Sequence, residues 1–433
     1  MSTRIVVVGG GTAGARLAQR LPVTLLGEES HAPYNRVLLA DVLAGRYAPE
    51  VVALPGTREP VRLGVRAVRI DRAARTVECA DGSLVGYDRL VLATGSNPVL
   101  PPLRGLRGAP LPAGVHPFRT LDDCLELRSV VRPGVRAVVI GGGLLGVSAA
   151  RALAALGAEV VLTQQGERLM ERQLDAQASA LLREHVESLG VEVHTECRVS
   201  GLRQRDGAVT AVELADGFVL DAQVVVLACG VRPRVALARE AGLDVATGIV
   251  VDDELRTSDP YIHAIGDCAE HGGRVYGLAG PALEQADVLA DLLLAETATA
   301  ATPVTAATLA TSVMAATPAT PVTTTTPAPA LPTDSGPRYT GTRALTRLTL
   351  GGAQPLDLAA FGEATARPGD DVVQLTDATR GAYRKVVVRG DRLVGGVLLG
   401  DLAAVGALAR AWEGDEALPE APLLHLLTHD GGS

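Results

Sequence analysis

Two glycine-rich stretches hold the residues most able to do chemistry in this sequence. Arg4 to Gly14 reads RIVVVGGGTAG and Arg136 to Gly146 reads RAVVIGGGLLG. Each is an apolar run, a glycine turn and the start of a helical pattern. Gly9, Gly11 and Gly14, and again Gly141, Gly143 and Gly146, fall on the spacing of a dinucleotide-binding strand–turn–helix. The first glycine permits the tight turn, the second lets the backbone approach a pyrophosphate, and the third lets the helix pack closely on the strand. The helix N-terminus then offers unpaired N–H groups and the positive end of its dipole to the phosphates. A single turn of this kind also arises for packing reasons; two copies a domain-length apart point to two nucleotide sites.

Candidate partners for those nucleotides stand at strand ends. Glu28 lies 19 residues after Gly9, where an acid would accept hydrogen bonds from an adenosine ribose. Glu29 is the alternative. Arg36 opens the segment HAPYNRVLLADVLAG with a guanidinium able to reach a phosphate or a ring edge. Thr94-Gly95 and Ala228-Cys229-Gly230 close two apolar strands with small residues that let backbone pass near a bound nucleotide. Gly266-Asp267 ends LRTSDPYIHAIGD and places a carboxylate where it could bind ribityl hydroxyls. A lone thiol such as Cys229 reads as a small buried hydrophobe. In the second unit Thr163-Gln164-Gln165 stands where an acid would favour NADH or an arginine NADPH, so that choice stays open.

The elements that must position these residues alternate strand and helix, the pattern of an α/β fold. Strands are expected at 4–8, 23–26, 65–70, 76–79, 90–93, 159–162, 191–194, 208–214 and 224–228. Helices are expected at 12–21, 120–128, 144–156, 174–189 and 281–294, the last aiming its N-terminus at an electron-rich ring edge. Residues 98–117 read as a proline-rich link. From Thr297 to Pro332, 29 of 36 residues are Thr, Ala or Pro and none is charged, so a disordered insertion is expected. Alternation returns at 344–350, 372–376, 383–388 and 394–399 as a small β-rich domain, and 411–433 reads as a tail.

Composition narrows the function. A net charge of −9 and 3% aromatic residues argue against nucleic acid and anionic membranes as partners. The five cysteines are scattered singly, so neither an iron–sulfur cluster nor structural zinc is expected. No secretory leader or membrane-spanning apolar run is read, and the cytoplasm is the expected compartment.

Both fingerprints, the Thr-Gly strand end and Gly266-Asp267 together resemble the two-dinucleotide flavoproteins, the pyridine nucleotide-disulfide oxidoreductase superfamily. PYNRVLLADVLAG, LMERQLD and GIVVDDELRTSDPYIHAIGDCAEH narrow the resemblance. They are similar to the flavin portion of NAD(P)H nitrite reductase large subunits and to stand-alone assimilatory nitrate or nitrite reductase flavoprotein subunits. The resemblance implies two Rossmann-like domains and a small β-rich C-terminal domain. An FAD domain would span 1–115 and 243–296, an NAD(P) domain 116–242, the insertion 297–337, the third domain 338–410 and the tail 411–433. FAD would lie on Gly9, Gly11, Thr12, Ala13, Gly14, Glu28, Arg36, the backbone near Ala67, Thr94, Gly95, Gly266 and Asp267. NADH or NADPH would lie on Gly141, Gly143, Leu144, Leu145, Gly146, Gln164 and Gly230. The implied chemistry is hydride transfer from nicotinamide to flavin, which needs orientation and exclusion of water in place of a catalytic side chain.

Departures from the family shape the expectation. The dithiol or single cysteine that disulfide- and peroxide-reducing members carry near residues 35–45 is missing, and Asp41 stands where ferredoxin-reductase relatives place a lysine. The cysteine-rich iron–sulfur and sirohaem portion of full nitrite reductases is also missing. The expected activity is therefore FAD-dependent NAD(P)H oxidation feeding a separate reductase subunit. A small iron–sulfur protein such as a ferredoxin or rubredoxin is the alternative acceptor, and an FAD- and NAD-binding redox sensor without turnover is the alternative of another class. The β-rich domain implies a possible homodimer.

Overall fold

The structure is a computed structural model that describes residues 3–106, 110–301, 337–343, 345–351, 355–377, 379–414, 417–418 and 423–427. Two parallel sheets repeat one plan. The first orders its strands Ile262–Ala264, Arg89–Leu92, Ile5–Val8 and Thr24–Leu26; the second orders Val191–His194, Glu159–Thr163, Arg136–Ile140, Val224–Leu227 and Val115–Pro117. Ile5–Val8 and Val224–Leu227 are buried along their whole length, as β-branched runs covered on both faces must be. A three-stranded meander accompanies each sheet, 67–86 beside the first and 199–221 beside the second.

The helix after each glycine turn packs on its sheet through small residues. In Thr12–Arg20 the buried face is Ala13, Gly14, Ala15, Leu17 and Ala18. Its outer edge is fixed to helix Ala279–Ala301 by a bidentate Arg16–Asp287 pair at 2.7 and 3.1 Å and by Arg20–Asp291 at 2.6 Å. That helix runs past the expected end at 294 into the Thr/Ala/Pro tract. The alanines of TATAA support it, and the first proline stands at 303. The rest of the tract expected to be disordered lies outside the described residues.

The chain crosses from the first sheet to the second along Ser96–Pro98 and returns along Val231–Pro233, and these two strands pair antiparallel. The crossing is thereby locked in one orientation. The expected division set the boundaries at 116 and 242, and the packing of the core points to an earlier crossing on each side. Leu103, Leu106 and Val115 already pack with the second sheet, while Val235, Ala238 and Leu243 pack with the first. We therefore place the crossovers at the paired strands.

The third unit is an antiparallel sheet ordered 345–350, 356–362, 392–399, 382–389 and 371–377. Its strand Leu356–Gly362 was not among those expected: most of it is buried, so no polar alternation marks it. Helix Val405–Glu413 crosses the expected start of the tail, and its Trp412 packs on Phe361 with ring centroids 5.3 Å apart. One face of this sheet joins the core of the second unit, so Tyr383, Leu358 and Leu399 share a buried cluster with Leu169, Met170 and Leu174. Tyr339, ahead of the sheet, is buried in the core of the first unit. Among the described residues no helix is long and apolar enough to cross a membrane, and no cluster of His, Cys, Asp and Glu could hold a metal ion.

Candidate functional site

Both glycine turns open onto one cleft of about 1430 Å³. A single-ligand pocket occupies roughly 300–1,000 Å³, so this cleft has room for two nucleotides. The glycines divide by role. Gly9 and Gly141 adopt φ of +117° and +114°, and a Cβ there would fall 2.1 and 2.4 Å from the carbonyl oxygens of Ala93 and Ala228. Gly14 and Gly146 do not line the cleft; a Cβ on either would fall 2.0 or 1.7 Å from the carbonyl of Gly9 or Gly141. They serve close helix packing. Gly11 and Gly143 have no atom within 4 Å of where a Cβ would stand, and both face the cleft. That open space is what a pyrophosphate on a helix N-terminus requires.

In the first half, Thr12, Ala13, Glu28, Arg36, Thr94, Gly95, Gly266 and Asp267 all line the wall. Glu29 is consumed by its neighbours: it pairs with Arg36 and accepts from the Tyr34 hydroxyl at 2.6 Å. Both acids line the cleft, and Glu28 is paired with Arg234 at 2.5 Å. Arg36 also donates to the Tyr34 hydroxyl at 2.8 Å and to the Arg119 carbonyl at 3.1 Å. Burial pushes the Tyr34 hydroxyl well above its ordinary range. Burial alone would lower the Arg36 guanidinium, but Tyr34 and Glu29 outweigh it and hold it higher.

Asp267 sits in the turn Gly266–Cys268, where it accepts from Arg119 at 2.6 Å and from the Ser96 hydroxyl at 3.0 Å. Arg119 also donates to the Ser96 hydroxyl at 2.7 Å. The Gly266 amide donates to Gln285, a buried residue of helix Ala279–Ala301. The start of that helix, with Leu278, Ala279 and Ala282, forms part of the wall. Sequence reasoning did not find Ser96, Arg119 or Gln285. Arg119 reaches Asp267 across 148 positions, and no local pattern signals such a meeting.

In the second half, Gly141, Gly143, Leu144, Leu145, Gln164 and Gly230 line the wall. Gln164 accepts from the Gly142 amide at 2.8 Å, which fixes the turn. The LMERQLD segment folds back over it: the Met170 amide donates to the Gly142 carbonyl at 2.9 Å, and Met170, Glu171, Arg172 and Gln173 reach the cleft. Cys229 is also on the wall, its thiol pushed up to about 11 by burial. It is a protonated wall residue at neutral pH.

Ala67, like Gly14 and Gly146, is an expected contact that does not line the cleft. It lies in strand Ala67–Asp71, paired with Cys79. The chain reaches the cleft earlier, at Leu63 and Gly64, because Arg62 bridges Leu26 and the Gly64 amide donates to the Glu29 carbonyl.

Comparison with known proteins places the chain. Residues 3–286 match the pyridine nucleotide-disulphide oxidoreductase family, and residues 353–413 match the rubredoxin NAD+ reductase C-terminal domain. The chain is similar to the nitrite reductase [NAD(P)H] large subunit of Klebsiella oxytoca, at 34% identity over 96% of this chain and 41% of that protein. It is similar to the assimilatory nitrate reductase electron transfer subunit of Bacillus subtilis, at 30% identity over 92% of this chain and 48% of that protein. It thus spans about half the length of these curated relatives. Among solved structures, the covalent putidaredoxin reductase–putidaredoxin complex matches with a TM-score of 0.78 and 25% identity, over 98% of both chains.

Proposed function

The chain belongs to the pyridine nucleotide-disulphide oxidoreductase family, and from that premise we propose that it draws electrons from NAD(P)H through FAD and delivers them to the iron–sulfur and sirohaem centres of a nitrite or nitrate reductase. It is an NAD(P)H-dependent flavin oxidoreductase; the acceptor is the proposed part. The observation that supports the reading is the pair of open glycine turns, Gly11 and Gly143, facing one cleft, in a chain similar along nearly its whole length to a nitrite reductase large subunit.

The residues present fit both nucleotides. Gly11, Thr12 and Ala13 would cradle the FAD pyrophosphate, Glu28 would accept from the adenosine ribose, and Asp267, held by Arg119 and Ser96, would take sugar-chain hydroxyls. The bonds of Glu29 to Tyr34 and Arg36 support Glu28 over Glu29 in the ribose role. Gly143, Leu144 and Leu145 would hold the pyridine nucleotide, with Gly230 passing beneath it. Bound flavin supplies the hydride acceptance and onward electron transfer that no side chain can. The protein's share is to orient the two nucleotides, and the paired crossover strands tie one half of the cleft to the other.

The test is anaerobic mixing with NAD(P)H, followed by presentation of acceptors. Bleaching of the flavin absorbance in seconds, with electrons then passing to a nitrite or nitrate reductase catalytic module, is the expected result. No bleaching would leave a nucleotide-binding sensor. The match of residues 353–413 to the rubredoxin NAD+ reductase C-terminal domain favours a second acceptor, a rubredoxin or ferredoxin. Faster transfer to such a protein than to the reductase module would select it.

A further inference from the structure

Lys385 is the only lysine among the 433 residues, and it is spent on one contact. Its ammonium stands 2.8 Å from the Asp175 carboxylate, both side chains 13% exposed. The Tyr383 hydroxyl donates to the same oxygen at 2.6 Å. Lys385 and Tyr383 lie on strand Ala382–Arg389 of the C-terminal sheet, whereas Asp175 belongs to the second unit and caps helix Ala176–Ser188 through the Ala178 amide at 3.0 Å. Burial alone would raise the Asp175 carboxyl, but Lys385, Tyr383 and the Ala178 amide overcome it and hold it below the ordinary range.

Asp175 is the last residue of LMERQLD, and the rest of that segment leads to the second glycine turn. The Leu174 and Gln173 amides donate to the Met170 carbonyl, and the Ser179 hydroxyl donates to the Leu169 carbonyl at 2.8 Å. Met170 sits at φ +49°, a conformation a non-glycine residue keeps only when its surroundings hold it there. Its amide bonds the Gly142 carbonyl at 2.9 Å, and the Leu169 side chain presses on Gly142, within 2.7 Å of where a Cβ would stand. Leu169, Met170 and Leu174 are buried in one cluster with Tyr383. The path from Lys385 to Gly142 runs through Asp175, Leu174 and Met170, and the Leu174–Met170 hydrogen bond bridges the exposed Glu171 and Arg172.

We propose that Lys385 is a positioning residue for the pyridine nucleotide. Acting through Asp175 and the 169–175 loop, it makes docking of the C-terminal sheet a condition for a correctly shaped second glycine turn. The inference rests on the assignment of the second turn to NAD(P)H. Two ends of one strut share one coupling free energy, so each must feel the other.

The experiment measures equilibrium dissociation of NAD+ and NADP+ from the FAD-loaded protein by titration, for wild type, Lys385→Met and Lys385→Arg. Lys385→Met should weaken the better-binding nucleotide by roughly 5- to 50-fold, the range typical of site-to-site coupling. FAD content and the rate of flavin reduction at saturating nucleotide should match wild type, and Lys385→Arg should recover most of the affinity. A second measurement needs no variant. With a single lysine in the chain, an amine-selective reagent followed by mass spectrometry of the peptide around residue 385 reads this contact directly. Saturating nucleotide should slow that modification several-fold. Unchanged affinity in a folded Lys385→Met protein overturns the proposal, as does modification of Lys385 at one rate with and without nucleotide. If Lys385→Met does not fold, the labelling comparison decides alone. Failure of wild type to bind either nucleotide would instead overturn the assignment of the second turn.

Discussion

The glycines of the two turns make separable predictions because they fail for different physical reasons. Gly11 is open on the cleft side, so Gly11→Val should fold with near-native melting yet lose most of its flavin absorbance. Gly14→Ala should do the reverse. Its methyl would fall 2.0 Å from the Gly9 carbonyl, an overpacking that costs about 1–3 kcal/mol or more and should lower the melting temperature. If Gly11→Val stays yellow, the first turn has been assigned wrongly. A second residue-scale prediction concerns His263, buried in strand Ile262–Ala264 at the end of the first sheet. Burial, then Arg256 and Arg89, lower its imidazole to about 3, and its Nδ1 has no hydrogen-bond partner among the described residues. The unfolded chain protonates this group near 6.5 while the folded one does not. Stability is therefore intact above that pH and drains away as pH falls toward 3. At pH 5 the loss amounts to about 2 kcal/mol. The drop in melting temperature between pH 7 and pH 5 should shrink in His263→Gln, and an equal drop in both proteins would count against it.

At the scale of elements, what the sequence made legible is what the backbone itself demands. The two strand–turn–helix units were readable because the first and third glycines answer steric requirements at a fixed spacing, imposed in the structure by the Ala93 and Ala228 carbonyls on Gly9 and Gly141 and by the Gly9 and Gly141 carbonyls on Gly14 and Gly146. The place of Glu28 on the cleft was readable from its distance after Gly9, whereas the bonds that engage Glu29, to Tyr34 and Arg36, were not. Arg119, Ser96 and Gln285 were not readable, since each acts on a partner more than a helix-length away in sequence. Ala67 was misplaced because the approach to the cleft is set by the bridge of Arg62 to Leu26, and strand register is invisible to periodicity. The Thr/Ala/Pro tract is the element-scale prediction. Helix Ala279–Ala301 precedes it and the buried Tyr339 follows it, both held in the core of the first unit by their own contacts. Replacing 303–336 with a glycine–serine join should leave FAD content and NAD(P)H-to-ferricyanide activity within about twofold of wild type. Insoluble protein, or a fall in melting temperature of many degrees, would show that the tract packs.

For the whole molecule, the question is where electrons go once they reach the cleft. Nothing among the described residues gathers His, Cys, Asp and Glu into a metal site, and burial raises the pKa of both thiols on the cleft wall, Cys197 and Cys229, the latter to about 11. Reduction of a thiol–disulfide pair needs a thiolate and a partner cysteine within bonding reach, and all five cysteines are free. On the proposed reading the electrons leave the cleft to a separate partner, and that partner decides the reaction. This 433-residue chain, purified and loaded with FAD, should oxidise NAD(P)H with ferricyanide or a viologen dye as acceptor and leave nitrite untouched. Cys229→Ala should retain that activity within about twofold, because a protonated thiol contributes only packing there. Nitrite consumption should begin when a catalytic module bearing iron–sulfur and sirohaem centres is added, with a rate that saturates in the module's concentration. Two measurements settle it: nitrite remaining after incubation with NAD(P)H alone, and iron by metal analysis of the pure chain. Stoichiometric iron, or nitrite loss without the added module, would mean that the electrons need not leave this polypeptide.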